Sequence, residues 1–77
     1  MNVLDQVCSI AGDVLHVPVA KLSAESGPES IESWDSVQHL NLVLALESQF
    51  GIEFEPEEID QMKSIGKIAA LVERKQQ

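Results

Sequence analysis

Apolar residues recur along this chain with the period of an α-helix, and no segment alternates between apolar and polar residues for long enough to form a sheet. Between Val3 and Leu15 the apolar residues occupy one side of a helical wheel, whereas Asp5 and Asp13 occupy the other. A chain of 77 residues forms one domain around one small core. The pattern therefore predicts a single all-α domain over residues 1–77.

A second helix is expected to begin at Asp35 or Ser36 and to end at Phe50. Asp35 is a favourable N-cap residue, and Gln38 follows it at the spacing of a capping box. Gly51 directly follows the last apolar residue and suits a helix C-cap. This helix has an apolar side wider than an ordinary core-facing stripe.

Two shorter helices are expected in the last third of the chain. Pro56 suits the first position of a third helix, which cannot extend far beyond Met62. Ser64 then suits the N-cap of a fourth helix from Ile65 to about Arg74. The fourth helix is expected to bury Ile65, Ile68, Ala69, Leu71 and Val72.

The segment from His16 to Trp34 is expected to be a loop, because Pro, Gly and Ser are scattered through it. A loop of this length is unusual in so small a domain and is often functional. The residues expected to anchor it to the core are Val19, Leu22, Ile31 and Trp34.

The charge balance restricts the partners. Lys and Arg total 5 against 13 Asp and Glu, which gives a net charge of −8. Without a basic patch the chain is not expected to bind nucleic acid, and basic protein partners are favoured. No stretch approaches the roughly 20 apolar residues that span a bilayer, and the N-terminus does not resemble a signal peptide. A cytoplasmic monomer that does not enter a membrane is therefore expected.

The residues offer no convincing metal or catalytic set. Cys8 has no second cysteine to pair with and is expected to be a small core side chain. With His16 and His39 it makes no zinc spacing, and the acidic run 53–60 lacks the EF-hand pattern. A Ser36–His39 contact is conceivable on a helix, but nothing resembles an oxyanion hole. No metal site and no enzyme are predicted, and His39 is expected at the helix surface or at the rim of the core.

The most informative position is Ser36, in the expected first turn of the second helix. A phosphate ester on its hydroxyl would be stabilised by the free N–H groups and the positive end of the helix dipole. The alternative is that Asp35 and Ser36 merely cap the helix. The local sequence alone favours that alternative, since such pairs are common at helix starts.

The longer sequence pattern around Ser36 favours attachment over simple capping. The run DSVQHLNLVLALESQFGIEF, residues 35–54, resembles the acyl carrier protein family, in which Asp-Ser-Leu begins a helix that leads into Leu-Glu-x-x-Phe. Here the corresponding residues are Asp35-Ser36-Val37 and Leu46-Glu47-x-x-Phe50. The resemblance covers nearly the whole chain. It implies a four-helix bundle with a long loop between helices 1 and 2 and a short third helix.

The resemblance also implies a function. Ser36, with Asp35 beside it, would carry covalent 4′-phosphopantetheine, installed from coenzyme A by a phosphopantetheinyl transferase. The thiol of this arm would hold an acyl group as a thioester and present it to acyl-transfer, synthase or ligase enzymes with basic docking surfaces. The protein itself would catalyse nothing.

Partner-binding residues are implied in the same way. Val37, Leu40 and Leu44 match positions beside the serine that such carriers use for docking, although ordinary core packing is the alternative for each. Acidic residues would meet basic residues of the partners, since charge steers an encounter that a small apolar contact then fixes. The acidic candidates are Asp35, Glu47, Glu57 and Asp60.

Some residues depart from the sequence pattern of the carriers that serve fatty acid synthesis. Gln38 and Asn41 stand where those carriers usually have acids, and no Asp or Glu occurs from Ser36 to Leu46. Trp34 before the Asp-Ser pair is commoner in carriers of specialised pathways. These departures favour an acyl carrier dedicated to a specialised pathway. The alternatives are a peptidyl or aminoacyl carrier and an unmodified acidic helical interaction module.

Overall fold

The structure is a computed structural model that describes residues 2–76, so the first and last residues of the predicted domain 1–77 lie outside it. It contains four α-helices and a short 3-10 helix, and no strand among the described residues. This confirms the predicted all-α fold with a long first loop and a short third helix. The elements are α1 (Val3–Leu15), the 3-10 helix (Val19–Lys21), α2 (Ser36–Phe50), α3 (Pro56–Asp60) and α4 (Ile65–Lys75).

Short polar side chains fix where the three longer helices begin. The side chains of Asn2, Asp35 and Ser64 each accept a hydrogen bond from the backbone N–H three residues later. Such N-caps satisfy N–H groups that have no partner within the helix. The predicted capping box of α2 is only half formed, because the side chain of Gln38 accepts instead from Asn41 at 3.0 Å.

Residues with a left-handed backbone conformation directly follow α1 and α2. The C-cap of α2 is Gly51, with φ of 65°, a conformation that glycine adopts without a Cβ penalty. The C-cap of α1 is His16, with φ of 58°. Helix α1 ends at Leu15, three residues before Pro18.

The core lies where α1, α2 and α4 meet. Cys8 is buried there as predicted, and burial is the main cause that raises the pKa of its thiol, with a smaller contribution from Asp5. The five residues predicted to form the buried face of α4 are all buried. The other buried apolar side chains are Val7, Ala11, Leu15, Trp34, Leu42, Val43, Leu46, Phe54 and Met62.

Helix α3 is held less firmly than the others. None of its side chains is fully buried, and Ile59 is its one residue that packs partly against the core. Its position therefore depends more on hydrogen bonds to neighbouring segments than on burial.

The long loop docks on the start of α4 through its backbone. The N–H of Ile65 donates to the carbonyl of Ser26, and the N–H of Gly66 donates to that of Ala24, both at 2.8 Å. Of the predicted loop anchors, Trp34 is buried, and Leu22 and Ile31 pack partly against the core. The prediction for Val19 is wrong: this residue is 49% exposed, because the 3-10 helix carries it along the surface.

No helix among residues 2–76 has both the length and the apolar character needed to cross a membrane.

Candidate functional site

Ser36 is the first residue of α2, and it is exposed. The preceding residue, Asp35, is the N-cap: its side chain accepts from the N–H of Gln38 at 2.9 Å, and its carbonyl accepts from the N–H of His39 at 2.8 Å. The serine hydroxyl thus lies at the positive end of the helix dipole, as predicted. A phosphodiester there would be accessible to an enzyme and stabilised by its position.

Ser36 lies at the edge of an open groove with a volume of about 570 Å³. The end of the loop, the first turns of α2, and α3 with the residues after it form its walls. We call this the Ser36 groove. Its lining residues are Pro28, Trp34, Asp35, Ser36, His39, Leu40, Ile59, Asp60, Met62 and Lys63.

His39 links three segments of the chain at this groove. The indole N–H of Trp34 donates to Nδ1 of His39 at 2.9 Å, and Nε2 of His39 lies 3.1 Å from the carbonyl oxygen of Ile59 on α3. The two rings stack with their centroids 6.1 Å apart. His39 is half-buried, which agrees with the predicted rim position. The sequence did not reveal these bonds, because Ile59 is 20 residues away and contributes a backbone atom.

Three large apolar side chains on α2 face solvent next to Ser36. Val37 is 67% exposed, Leu40 56% and Leu44 63%. Their spacing of three and four residues puts them along one side of the helix, which we call the α2 stripe. Core packing, the alternative for these residues, is therefore wrong. An exposed apolar stripe of this kind is typical of a protein contact.

The predicted acidic docking residues have different environments. Asp35, Glu57 and Asp60 are exposed, and Asp60 lines the Ser36 groove. Glu47 is half-buried, and its carboxylate accepts a hydrogen bond from the backbone N–H of Phe54 at 2.9 Å. The structure thus gives Glu47 a contact within the chain, which its sequence position did not indicate.

Glu58 also has a structural contact that the sequence reasoning missed. Its Oε1 atom accepts from the backbone N–H of Glu55 at 2.8 Å and lies 2.7 Å from Nζ of Lys75. The hydrogen bond with Glu55 is the largest cause that lowers the pKa of Glu58, and Lys75 lowers it further. The three-residue spacing of Glu55 and Glu58 beside Pro56 could have indicated this cap.

Comparisons with known proteins agree with this geometry. The family model described as a phosphopantetheine attachment site matches residues 5–72. An acyl carrier protein of Thermosynechococcus vestitus is 29% identical over 74 residues, which are 96% of this chain and 91% of the relative. An acyl carrier protein of Prochlorococcus marinus is 30% identical over 74 residues, 96% of this chain and 92% of the relative.

A solved structure has the same fold. The solution NMR structure of holo acyl carrier protein from Geobacter metallireducens matches with a TM-score of 0.88 and 33% identity, over 99% of this chain and 87% of that one. Its similarity extends through all four helices and the long loop, since nearly the whole chain is covered. The chain therefore belongs to the acyl carrier protein family, whose members are carriers of covalent 4′-phosphopantetheine and not enzymes.

Proposed function

We propose that Ser36 carries the 4′-phosphopantetheine and that the chain presents thioester-bound acyl groups to partner enzymes. In the loading step the Oγ–P bond of Ser36 forms as the P–O bond within the pyrophosphate of coenzyme A breaks. Adenosine 3′,5′-bisphosphate leaves, and the hydroxyl proton passes to a base of the phosphopantetheinyl transferase or to water.

One observation carries this proposal: Ser36 is an exposed hydroxyl at the first position of α2, between a groove and an apolar stripe. Asp35 contributes by capping the helix, which fixes the backbone that bears the hydroxyl. The Ser36 groove offers apolar wall residues such as Leu40, Ile59 and Met62 against which an arm or its cargo can lie.

The experiment incubates the protein with coenzyme A and a broad-specificity phosphopantetheinyl transferase. The intact mass of the protein is then measured. The wild type is expected to gain one phosphopantetheinyl group, and Ser36→Ala none. Ser48→Ala is the matched control, because Ser48 is another exposed serine of the same helix. A mass gain that survives Ser36→Ala would refute the attachment site. No gain in the wild type would favour the unmodified acidic interaction module.

The docking surface that we propose consists of the α2 stripe and the exposed acids Glu57 and Asp60. It would meet the transferase and enzymes of the acyl-transfer, synthase or ligase classes with basic surfaces. Asp35 and Glu47 are weaker candidates than Glu57 and Asp60, since the carboxylates of the first two already accept hydrogen bonds from the backbone N–H groups of Gln38 and Phe54. A cytoplasmic location and a monomeric state remain predictions from the sequence.

We further infer that the carrier serves a specialised pathway. The support is the part of α2 that precedes Glu47. The residues beside the α2 stripe there include Gln38 and Asn41, and none of them is a carboxylate. A partner that binds acidic side chains on this helix would meet none before Glu47. Partners that dock on this uncharged part of α2 would have less basic surfaces there than partners of carriers that have acids at these positions.

This can be tested with the holo-protein and a malonyl transferase of fatty acid synthesis. The wild type is expected to be a poor substrate, and the double variant Gln38→Asp/Asn41→Glu a better one. Efficient malonyl loading of the wild type would refute the specialised role. Loading of amino acids but not acyl groups by activating enzymes would favour the peptidyl or aminoacyl carrier.

A further inference from the structure

The two hydrogen bonds of His39 require one form of its ring. An indole N–H can only donate, so Nδ1 of His39 must be the acceptor for Trp34. A backbone carbonyl can only accept, so Nε2 must carry a proton to bond the Ile59 oxygen. Only the neutral ring with its proton on Nε2 satisfies both partners. We call this pair of bonds the His39 bridge.

The His39 bridge ties α3 to the part of the chain that bears Ser36. Trp34 precedes the N-cap of α2, His39 lies in the first turns of α2, and Ile59 belongs to α3. All three line the Ser36 groove. Helix α3 buries no side chain fully and is held by few contacts, namely the bond from His39 to Ile59, the partial packing of Ile59 and the Glu58–Lys75 pair. The bridge is the contact of α3 with α2 at this groove, so it helps to set how closely the two helices approach there.

We propose that His39 is a positioning residue that holds α3 against α2, and that its protonation releases α3 and opens the Ser36 groove. That the groove serves a phosphopantetheine arm rests on the proposed attachment at Ser36, whereas the His39 bridge does not depend on that attachment. The neutral form keeps the groove narrow beside the arm. The charged form gives the arm and its cargo more room.

His39, and not Trp34, is the partner that must move. A proton on Nδ1 would point at the indole N–H, so the two donors repel and the bond is lost. Trp34 is only 3% exposed within the core, whereas His39 is half-buried at its edge. When the imidazolium moves away from the indole, its Nε2–H moves away from the Ile59 oxygen.

The charges around His39 permit this protonation. The titratable or charged groups lining the groove are Asp35 from the N-cap of α2, Asp60 from α3, and Lys63 from the segment after α3. Helix α2 itself contributes no other charge before Glu47. Two carboxylates and one ammonium leave the groove with a net negative charge, which accommodates an imidazolium.

The test is NMR on the full-length chain before any phosphopantetheine is attached. At about pH 8 the ring nitrogens of His39 are expected to show the Nε2–H tautomer. Between about pH 8 and pH 5 the hydrogen-exchange protection factors of the α3 amides are expected to fall by about two- to tenfold, the range for the loss of one hydrogen bond. The fall should occur together with the loss of the Nε2–H tautomer of His39 in the same spectra.

Three variants make the result specific. His39→Gln is expected to remove the pH response of α3, and His16→Gln, which changes the other histidine, to retain it. Trp34→Phe removes the donor that opposes protonation, so α3 should stay protected at about pH 5. If that core variant does not fold, the two histidine variants decide the question.

Two results would overturn the proposal: α3 protection that responds equally in the wild type and His39→Gln, or an indole signal that changes while α3 stays protected. Ser36→Ala should keep the full response, so failure of the attachment proposal and failure of the bridge are separate outcomes.

Discussion

The carboxylate of Glu47 on α2 accepts a hydrogen bond from the backbone N–H of Phe54 at 2.9 Å. The bond spans the turn that leaves α2 and fixes Phe54, whose ring is buried in the core. The ring of Phe54 in turn lies 5.7 Å from Nζ of Lys75, the residue that also pairs with Glu58. One carboxylate thus helps to order the segment between α2 and α3.

Replacement of Glu47 by alanine is expected to destabilise the fold. Hydrogen bonds to charged groups contribute about 1.5–3 kcal/mol, and this site is partly exposed, so we expect a loss of about 1–2 kcal/mol in the free energy of unfolding. Urea denaturation followed by circular dichroism measures it. Glu47→Gln, which keeps an acceptor oxygen, should lose less. A Glu47→Ala variant as stable as the wild type would show that the bond contributes nothing.

Gly27 is the second site where a small change should affect the fold. A Cβ atom at this position would overlap the carbonyl oxygen of Lys63, where the loop docks beside α4. We expect Gly27→Ala to cost about 1–3 kcal/mol, as for overpacked cores, because the obstacle is backbone. Thermal unfolding measures the loss.

Gly51→Asn is the matched control for the Gly27 variant. A Cβ at Gly51 meets no atom within 4 Å, and asparagine tolerates its left-handed backbone. The control should lose clearly less stability than Gly27→Ala. Equal losses in the two variants would contradict the steric explanation.

Much of the fold is predictable from local patterns. The bounds of α1 and α2 follow from apolar periodicity with Asp35 and Gly51 as caps, because both signals depend on residues within a few positions of each other. The position of Ser36 at the start of α2 follows in the same way. Long-range contacts do not, since they join residues distant in sequence.

The candidate site shows where prediction ends. The sequence left two roles for the residues of the α2 stripe, docking and core packing. Only the three-dimensional packing shows which side of α2 the core covers. The roles of Glu47 and His39 depend on the backbone atoms of Phe54 and Ile59, which carry no side-chain signal. The family assignment confirms the 4′-phosphopantetheine cofactor and the carrier role, whereas the partner-binding residues remain predictions.

The Glu58–Lys75 pair predicts a pH dependence of stability. The pKa of Glu58 is lowered in the folded state from its ordinary value of 4.5, first by the Glu55 N–H and then by Lys75. Its stabilisation is therefore complete above about pH 4.5 and is lost as the pH falls through the folded-state pKa. Glu58→Gln should melt below the wild type at about pH 7, and the difference should shrink toward about pH 3.

Glu57→Gln is the control for this pH series, because it removes a neighbouring exposed carboxylate outside the pair. Its melting temperature should stay closer to that of the wild type at neutral pH. A Glu58→Gln deficit that persists unchanged at about pH 3 would contradict an electrostatic origin.

The α2 stripe should matter for partners and not for the fold. Leu40 is 56% exposed, so Leu40→Ser is expected to change stability by less than about 0.5 kcal/mol. Loading by a phosphopantetheinyl transferase should fall about tenfold in kcat/KM if Leu40 is a central contact of the interface. Val19→Ser, which removes another exposed apolar side chain, should load normally. Equal loading of the Leu40 variant would exclude Leu40 from the interface.

The acids beside the groove should act on partner association through long-range attraction. Asp60→Lys or Glu57→Lys is expected to weaken binding to a transferase more at about 0.01 M salt than at about 0.15 M, because the Debye length shortens from about 30 Å to about 8 Å. Stopped-flow association rates measure the effect, since steering acts on the on-rate. Asp13→Lys on α1 changes the net charge equally, so it separates a local effect from a global one. Equal weakening at both salt concentrations would show a direct contact, and equal weakening by Asp13→Lys would show that only total charge matters.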